Sequence, residues 1–231
     1  TWQITPDLIR KAITSRTKAV ILVHLFGHAC PVEKIREICD EHELYLIEDC
    51  AEALGTFTQS NHVGALSDIA TFSFYGNKTI TTGEGGMISI KDPQLMELAK
   101  SIKNQGVSKS LEYSHNIIGH NFRMTNLQAA IGCAQLERID EILITKKKLN
   151  SIYKHSLQKF DIQFQEEYPE TQSSHWMNSI LVKNESTRDR LRKHLKNNGI
   201  ETRPMFRPIH KMTPYNTNQL LHNTESVSKR G

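Results

Sequence analysis

The chain has 231 residues, 38% hydrophobic and 23% charged, proportions of an ordinary globular protein with enough apolar side chains for a sizeable core. A formal charge of +4 and 7% aromatic residues supply no long basic stripe with interleaved rings, which argues against nucleic acid as a partner. The longest apolar run, residues 19–26, falls far short of the ~18 residues a membrane helix needs, and "TWQITPDLIR" lacks a charged-then-apolar signal pattern, so neither membrane nor secretion has support.

Leu8, Ile9, Ala12 and Ile13 recur at helical spacing and predict a short helix over residues 6–14. Residues 19–25 read as a buried strand. Residues 31–42 read as a helix with Val32, Ile35, Ile38 and Cys39 inward and Pro31 suited to its first turn. Strands follow at 44–48, 69–74 and 86–90, then a helix at 93–103 with Leu95, Leu98, Ala99 and Ile102 on one stripe. Helices interleaved with short apolar strands imply a mostly parallel sheet covered on both faces. After Gly106 the polar, glycine-punctuated "GVSKSLEYSHNIIGHNFRM" suits a functional loop. From Thr125 the pattern predicts one helix of about thirty residues, with Thr125 or Asn126 as its N-cap, that bridges two domains. A strand in "WMNSILV", a helix at 187–197 and an irregular basic tail make the remainder α+β. The predicted division is residues 1–140 and 141–231.

Cys30, Cys39, Cys50 and Cys133 form no C-x-x-C pair and sit in apolar or helical contexts, as reduced thiols of a cytosolic protein do. "HLFGHAC" brings His24, His28 and Cys30 together, but no second ligand group stands at zinc spacing, so no metal is expected. Lys146, Lys147 and Lys148 read as a solvated helix face.

Two ionisable groups fall at carboxyl ends of predicted strands, where ligands bind in open α/β sheets. Asp49 follows "LYLI", and Lys78 follows "IATFSFYGN". A lysine so placed can be a phosphate ligand, a covalent anchor or a charged strand end. The phosphate loop G-x-x-x-x-G-K-[ST] fails, because Asn77 precedes the lysine and Thr71 takes the place of the first glycine. The glycines at 83, 85 and 86 do not make G-x-G-x-x-G, since Ile88 stands where the last belongs. The covalent-anchor reading explains more. Pyridoxal phosphate needs a lysine amine for a Schiff base and a carboxylate to keep its ring nitrogen protonated, a partner that favours the cation by about 1–3 pKa units. Asp49 and Lys78 have that chemistry.

"EDCAEALGT", "FSFYGNKTITTGEGGM", "VHLFGHAC", "GHNFRMTNLQAAIGCAQLERID" and "GIETRPMFRPIHKMTPY" together resemble the DegT/DnrJ/EryC1/StrS family of pyridoxal-phosphate sugar aminotransferases. The likeness is strongest to the branch that aminates GDP-4-keto-6-deoxymannose at C4 with glutamate. It implies an aspartate-aminotransferase-like large domain (fold type I) with a mostly parallel sheet, plus a smaller α+β C-terminal domain. By resemblance, Lys78 is the Schiff-base lysine and acid/base, Asp49 pairs with the pyridine nitrogen, and Glu52 lies beside the ring. Ser73 bonds the cofactor phosphate, and Asn121 reaches that phosphate from the neighbouring subunit of a homodimer with shared sites. Arg203 and His210 are candidates for contact with the nucleotide sugar. Arg123 and Asp68 stay structural, as a carboxylate partner and a turn residue.

Family members are longer and begin with a Gly-Thr segment that cradles the cofactor phosphate; residue 1 here already lies midway through the large domain, and "ESVSKRG" stops where relatives continue. The chain therefore reads as truncated at both ends. The expected activity is cytoplasmic transamination of a nucleotide-linked 4-keto-6-deoxy sugar for cell-surface polysaccharide synthesis. The alternatives are a sugar dehydratase on the same scaffold, in which histidine replaces the lysine, and a non-catalytic truncated subunit.

Overall fold

The computed structural model describes residues 1–59, 61–108 and 110–231. Lys109, within the predicted functional loop, and Ser60 lie outside the described residues. Helix α1 (Pro6–Ala12) is followed by strand β1 (Ala19–Val23), helix α2 (Val32–Glu41) and strand β2 (Tyr45–Asp49). A short pair, β3 (Phe57–Thr58) and β4 (Asn61–His62), precedes β5 (Ile69–Ser73) and β6 (Gly86–Ile90). Helices α3 (Pro93–Lys103), α4 (Asn126–Leu136) and α5 (Ile139–Leu157) come next. Strands β7 (Gln163–Phe164), β8 (Thr171–Gln172) and β9 (Ile180–Leu181) and helices α6 (Glu185–Asn197) and α7 (His222–Arg230) complete the order.

The chain forms two compact units. The larger comprises Gln3–Lys147 and Glu167–Trp176; the smaller comprises Thr1–Trp2, Lys148–Glu166 and Met177–Gly231. In the larger unit the main sheet has the order β1-β2-β5-β6, with β1, β2 and β5 parallel and β6 antiparallel to β5. This is the mostly parallel α/β sheet that the alternating elements imply. Ile9 of α1 and Val32, Ile35, Ile38 and Cys39 of α2 pack on Val20, Leu22 and Leu46 of the first two strands. Each such aliphatic side chain removed from water contributes about 1.5–3 kcal/mol. A second cluster, Ala29, Cys50, Ala53, Val63, Ala70 and Phe72, lies under the loops that follow the strands.

Coverage on both faces does not hold among the described residues. Burial alternates along β1 and β2, and Ile21 and Tyr45 on the opposite face are 63% and 61% exposed. A continuous apolar run reports that both faces could be buried, not that this chain supplies both layers.

The thirty-residue helix is two helices. Thr125 caps α4 through a capping box: its hydroxyl accepts from Gln128 N at 3.3 Å, and its own N–H donates to Gln128 Oε1 at 2.9 Å. The chain turns at Glu137 and Arg138, and Asp140 and Glu141 then sit in the first turn of α5, where negative side chains suit a helix N-terminus. No glycine or proline marks that break, so spacing alone hides it. Helix α5 runs from the larger unit into the smaller. The strand expected in "WMNSILV" shrinks to β9, because Trp176 belongs to the larger unit and the chain crosses at Met177. In the smaller unit β7 and β9 pair antiparallel, and Asn184 caps α6 by accepting from Thr187 N at 2.9 Å. Arg188 donates to the carbonyls of Ser228 and Lys229, tying α6 to α7.

Candidate active site

The parallel strands end where the candidate residues begin. Asp49 is the last residue of β2, opposite Val23 of β1 and Thr71 of β5. Its Oδ1 accepts from Ala51 N at 3.0 Å, which turns the side chain across the strand end. Glu52, one turn later, accepts the Phe26 N–H at 2.7 Å. Phe26 has φ +59, a left-handed conformation that costs a bulky residue about 1–3 kcal/mol and is stored where the surroundings over-determine it. Burial pushes the Glu52 carboxyl above its ordinary range; the Phe26 N–H and the Lys78 cation pull it back, and the Asp49 charge adds to the rise. Asp49, Glu52 and Lys78 therefore share one electrostatic neighbourhood.

Lys78 lies in the turn between β5 and β6, and the residues around it explain the threonines and glycines. Ser73 ends β5, and its hydroxyl accepts from Tyr75 N at 3.3 Å. The Phe74 carbonyl gathers the far side of the turn, accepting from Thr82 N at 2.9 Å and Thr81 Oγ1 at 3.1 Å. Gly85, at φ +154, is the point of closest approach: a Cβ there would meet Thr82 Oγ1 at 2.5 Å. Helix α4 holds the turn from outside, with Gln135 Oε1 accepting from Thr81 N at 3.2 Å and Gln128 Nε2 donating to the Glu84 carbonyl at 3.0 Å. The half-buried Lys78 amine stands 4.3 Å from the centre of the Trp176 ring. Sequence reasoning missed Trp176; it lies 98 positions away (176 − 78) in a stretch whose only pattern is a short apolar run.

The other candidates are placed as follows. Asn121 is exposed, bridged to Asn104, and its Oδ1 accepts from Arg123 Nε at 3.0 Å, so Arg123 meets an amide here and not the helix carboxylate expected. Asp68 accepts from Leu46 N at 2.7 Å and from Arg36 at 2.9 Å, bracing β2 as a structural residue. Arg203 and His210 lie in the smaller unit. Arg203 is exposed and paired with Glu201 at 2.6 Å, and His210 is buried with its Nε2 at 3.1 Å from Glu225. Surface clefts bounded by Ile13, Thr17 and His42, and by Gln105, His115 and Gly119, contain none of these residues.

His24, Glu48 and Cys50 form a buried cluster with ligand atoms within 4.8 Å of one another. The hydrogen bonds oppose a metal there. The Cys30 N–H points at His24 Nδ1 at 3.0 Å, so the ring proton sits on Nε2 and is donated to Glu48 Oε2 at 2.8 Å. That tautomer leaves Nε2 no lone pair for an ion. All four cysteines are unpaired, and burial pushes the Cys30 thiol up to about 12.

The profile of the DegT/DnrJ/EryC1/StrS aminotransferase family matches residues 1–231. The chain is 44% identical over 222 residues to a GDP-perosamine synthase of Escherichia coli O157:H7, covering 96% of this chain and 61% of that protein. It is 45% identical over 215 residues to a GDP-perosamine synthase of Vibrio cholerae, covering 92% and 59%. The crystal structure of the aminotransferase TlmJ from Streptoalloteichus hindustanus superposes with a TM-score of 0.93 at 26% identity, covering 100% of this chain and 63% of that one. The chain thus spans about 60% of the length of the relatives it matches. Family profile, sequence relatives and fold agree with one another: the chain belongs to the DegT/DnrJ/EryC1/StrS aminotransferase family.

Proposed function

We propose that the protein is a pyridoxal-phosphate aminotransferase that aminates a nucleotide-linked 4-keto-6-deoxy sugar, GDP-4-keto-6-deoxymannose, with glutamate as donor. The observation that supports the reading is that Asp49 ends β2, with Glu52 three residues on, while Lys78 lies in the turn that follows the adjacent parallel strand β5, and that the Glu52 carboxyl feels the charges of both Lys78 and Asp49. The donor set suits the cofactor: an amine for its aldehyde, a carboxylate for its ring nitrogen and a strand-end hydroxyl for its phosphate. When bound, pyridoxal phosphate supplies an electron-withdrawing ring that makes the proton beside the substrate nitrogen removable.

The chain's own residues do the rest. Asp49 accepts from Ala51 N on one carboxylate oxygen and would be the residue that keeps the ring nitrogen protonated. Lys78 would hold the cofactor through its amine and would serve as the acid/base for the proton at the substrate carbon. Glu52 lines the ring side, and Ser73 binds the phosphate. Asn121 reaches the same phosphate from a second subunit, and Arg203 and His210 contact the nucleotide sugar. The cofactor domain is the large one and the sugar-contact domain the small one. The reaction is cytoplasmic and feeds cell-surface polysaccharide. Of the described helices, none is long and apolar enough to cross a membrane.

Borohydride reduction of the cofactor-loaded protein is expected to label Lys78; a label on any other lysine overturns the anchor. Incubation with glutamate and a panel of GDP-, UDP- and dTDP-linked 4-keto sugars, following 2-oxoglutarate release, is expected to favour the GDP ketone. Turnover of the uracil- or thymine-linked ketones alone moves the substrate elsewhere within the family.

A further inference from the structure

The segment Glu167–Trp176 returns the chain to the larger unit after its excursion through α5 and β7. It is fastened there. Strand β8 pairs with β3, Phe57 opposite Gln172. The Gly27 carbonyl accepts from Thr56 Oγ1 at 2.7 Å, Ser173 Oγ at 2.8 Å and Ser174 N at 3.2 Å. A Cβ at Gly27, whose φ is +88, would stand 2.5 Å from Ser174 Oγ, so only glycine admits this approach. These bonds fix the backbone immediately before Trp176.

The indole is 8% exposed and engages two consecutive residues of the lysine turn. Its Nε1–H donates to the Asn77 carbonyl at 2.7 Å, and its ring faces the Lys78 amine at 4.3 Å. Phe26 lies parallel to it, centroids 6.5 Å apart and planes 7° apart. A tryptophan that only filled space would use neither its N–H nor its electron-rich face on the same dipeptide. We propose that Trp176 is the positioning residue for Lys78: it pins the peptide of Asn77 by hydrogen bond and packs its ring against the Lys78 side-chain nitrogen, fixing where that nitrogen stands at the mouth of β5. The amine is thereby kept in one place whenever it carries no cofactor, and the carbonyl anchor stops the turn from swinging it into solvent. This rests on Lys78 being the covalent anchor.

The test uses cofactor-free protein mixed with pyridoxal phosphate and quenched with borohydride at intervals, the label being located by peptide mass. Loss of the whole contact in Trp176→Leu is expected to slow labelling of Lys78 about tenfold, and Trp176→Phe, which keeps a ring face but no N–H, about threefold. Wild-type rates in Trp176→Leu with the label still on Lys78 overturn the clamp and leave the anchor standing. Equal slowing in both variants assigns the effect to general packing and also overturns it. A label that falls elsewhere in the wild type overturns the anchor, and the clamp with it. A second readout needs neither cofactor nor the leucine variant. The chain has two tryptophans, so Trp2→Phe isolates Trp176, and adding Lys78→Met is expected to change its emission. An unchanged spectrum removes the contact on which the proposal stands.

Discussion

At the scale of single residues, Asp49 and Glu52 are similar carboxylates in different settings. Asp49 has one oxygen committed to Ala51 N, which fixes its direction without using up its charge. Asp49→Asn keeps that hydrogen bond and removes the charge. Single-turnover reaction of the loaded protein with glutamate is therefore expected to slow about 100-fold, the middle of a 1–3 unit change in ring-nitrogen basicity, while cofactor content stays near one per chain. Unchanged rates detach Asp49 from the ring. Glu52 is shifted the other way, upward, chiefly by burial. A raised carboxyl binds its proton more readily in the folded chain than in the unfolded one. Between the ordinary carboxylate range and the folded value, stability thus falls as pH rises, because ionisation then costs burial of a charge. Glu52→Gln retains an acceptor for Phe26 N–H and has nothing to ionise. Urea midpoints between pH 4 and 7 are expected to lose that downward slope in the variant; parallel curves for both proteins refute it.

At the scale of elements, the ends of β1 and β2 are joined by one buried brace. His24 takes the Cys30 N–H on Nδ1 and donates from Nε2 to Glu48, whose Oε2 also accepts from Gly64 N at 2.9 Å. Burial by itself pushes the Glu48 carboxyl up, but the bonds from His24 and Gly64 more than offset it and hold the group below its ordinary range. His24→Ala leaves the buried carboxylate short of a donor and the Cys30 N–H without an acceptor. Chemical denaturation is expected to show a loss of about 3 kcal/mol, and a loss under 1 kcal/mol would mean that water replaces the ring freely. This brace was visible in the letters only as "HLFGHAC" beside "IEDC", a grouping that equally suits a metal, because spacing does not reveal tautomers. The strands and helices themselves were legible where apolar residues recur over five positions or more, as in Val32, Ile35, Ile38 and Cys39. Two-residue strands such as β3 and β8 give no period to detect, and the α4–α5 break is made by charge and turn geometry rather than by a breaker residue.

At the scale of the whole molecule, Asp49 and Lys78 stand out in the sequence as candidates because Asp49 ends its strand and Lys78 follows shortly after one. Trp176 does not, because it reaches Lys78 only after the chain has left the larger unit and returned. Long-range partners of this sort follow from how the units are threaded, which no local pattern encodes. The smaller unit has its own fastening of that kind: Glu225 of α7 meets His210 Nε2 at 3.1 Å and Lys211 at 3.2 Å, linking the helix to the basic tail before it. The bond from His210, then the bond and charge of Lys211, hold the Glu225 carboxyl down at about 2, against the partial cost of burial. A depressed carboxyl contributes stability that is fully present above its unfolded range, near 4.5, and is lost as pH falls toward about 2. Glu225→Gln is therefore expected to melt below the wild type at pH 7 and to converge with it as pH approaches 2. The cluster lies near the surface, so salt narrows the gap at pH 7 as well. Melting curves that stay equally separated at both ends of that range would show that Glu225 acts through packing of α7 and not through its charge.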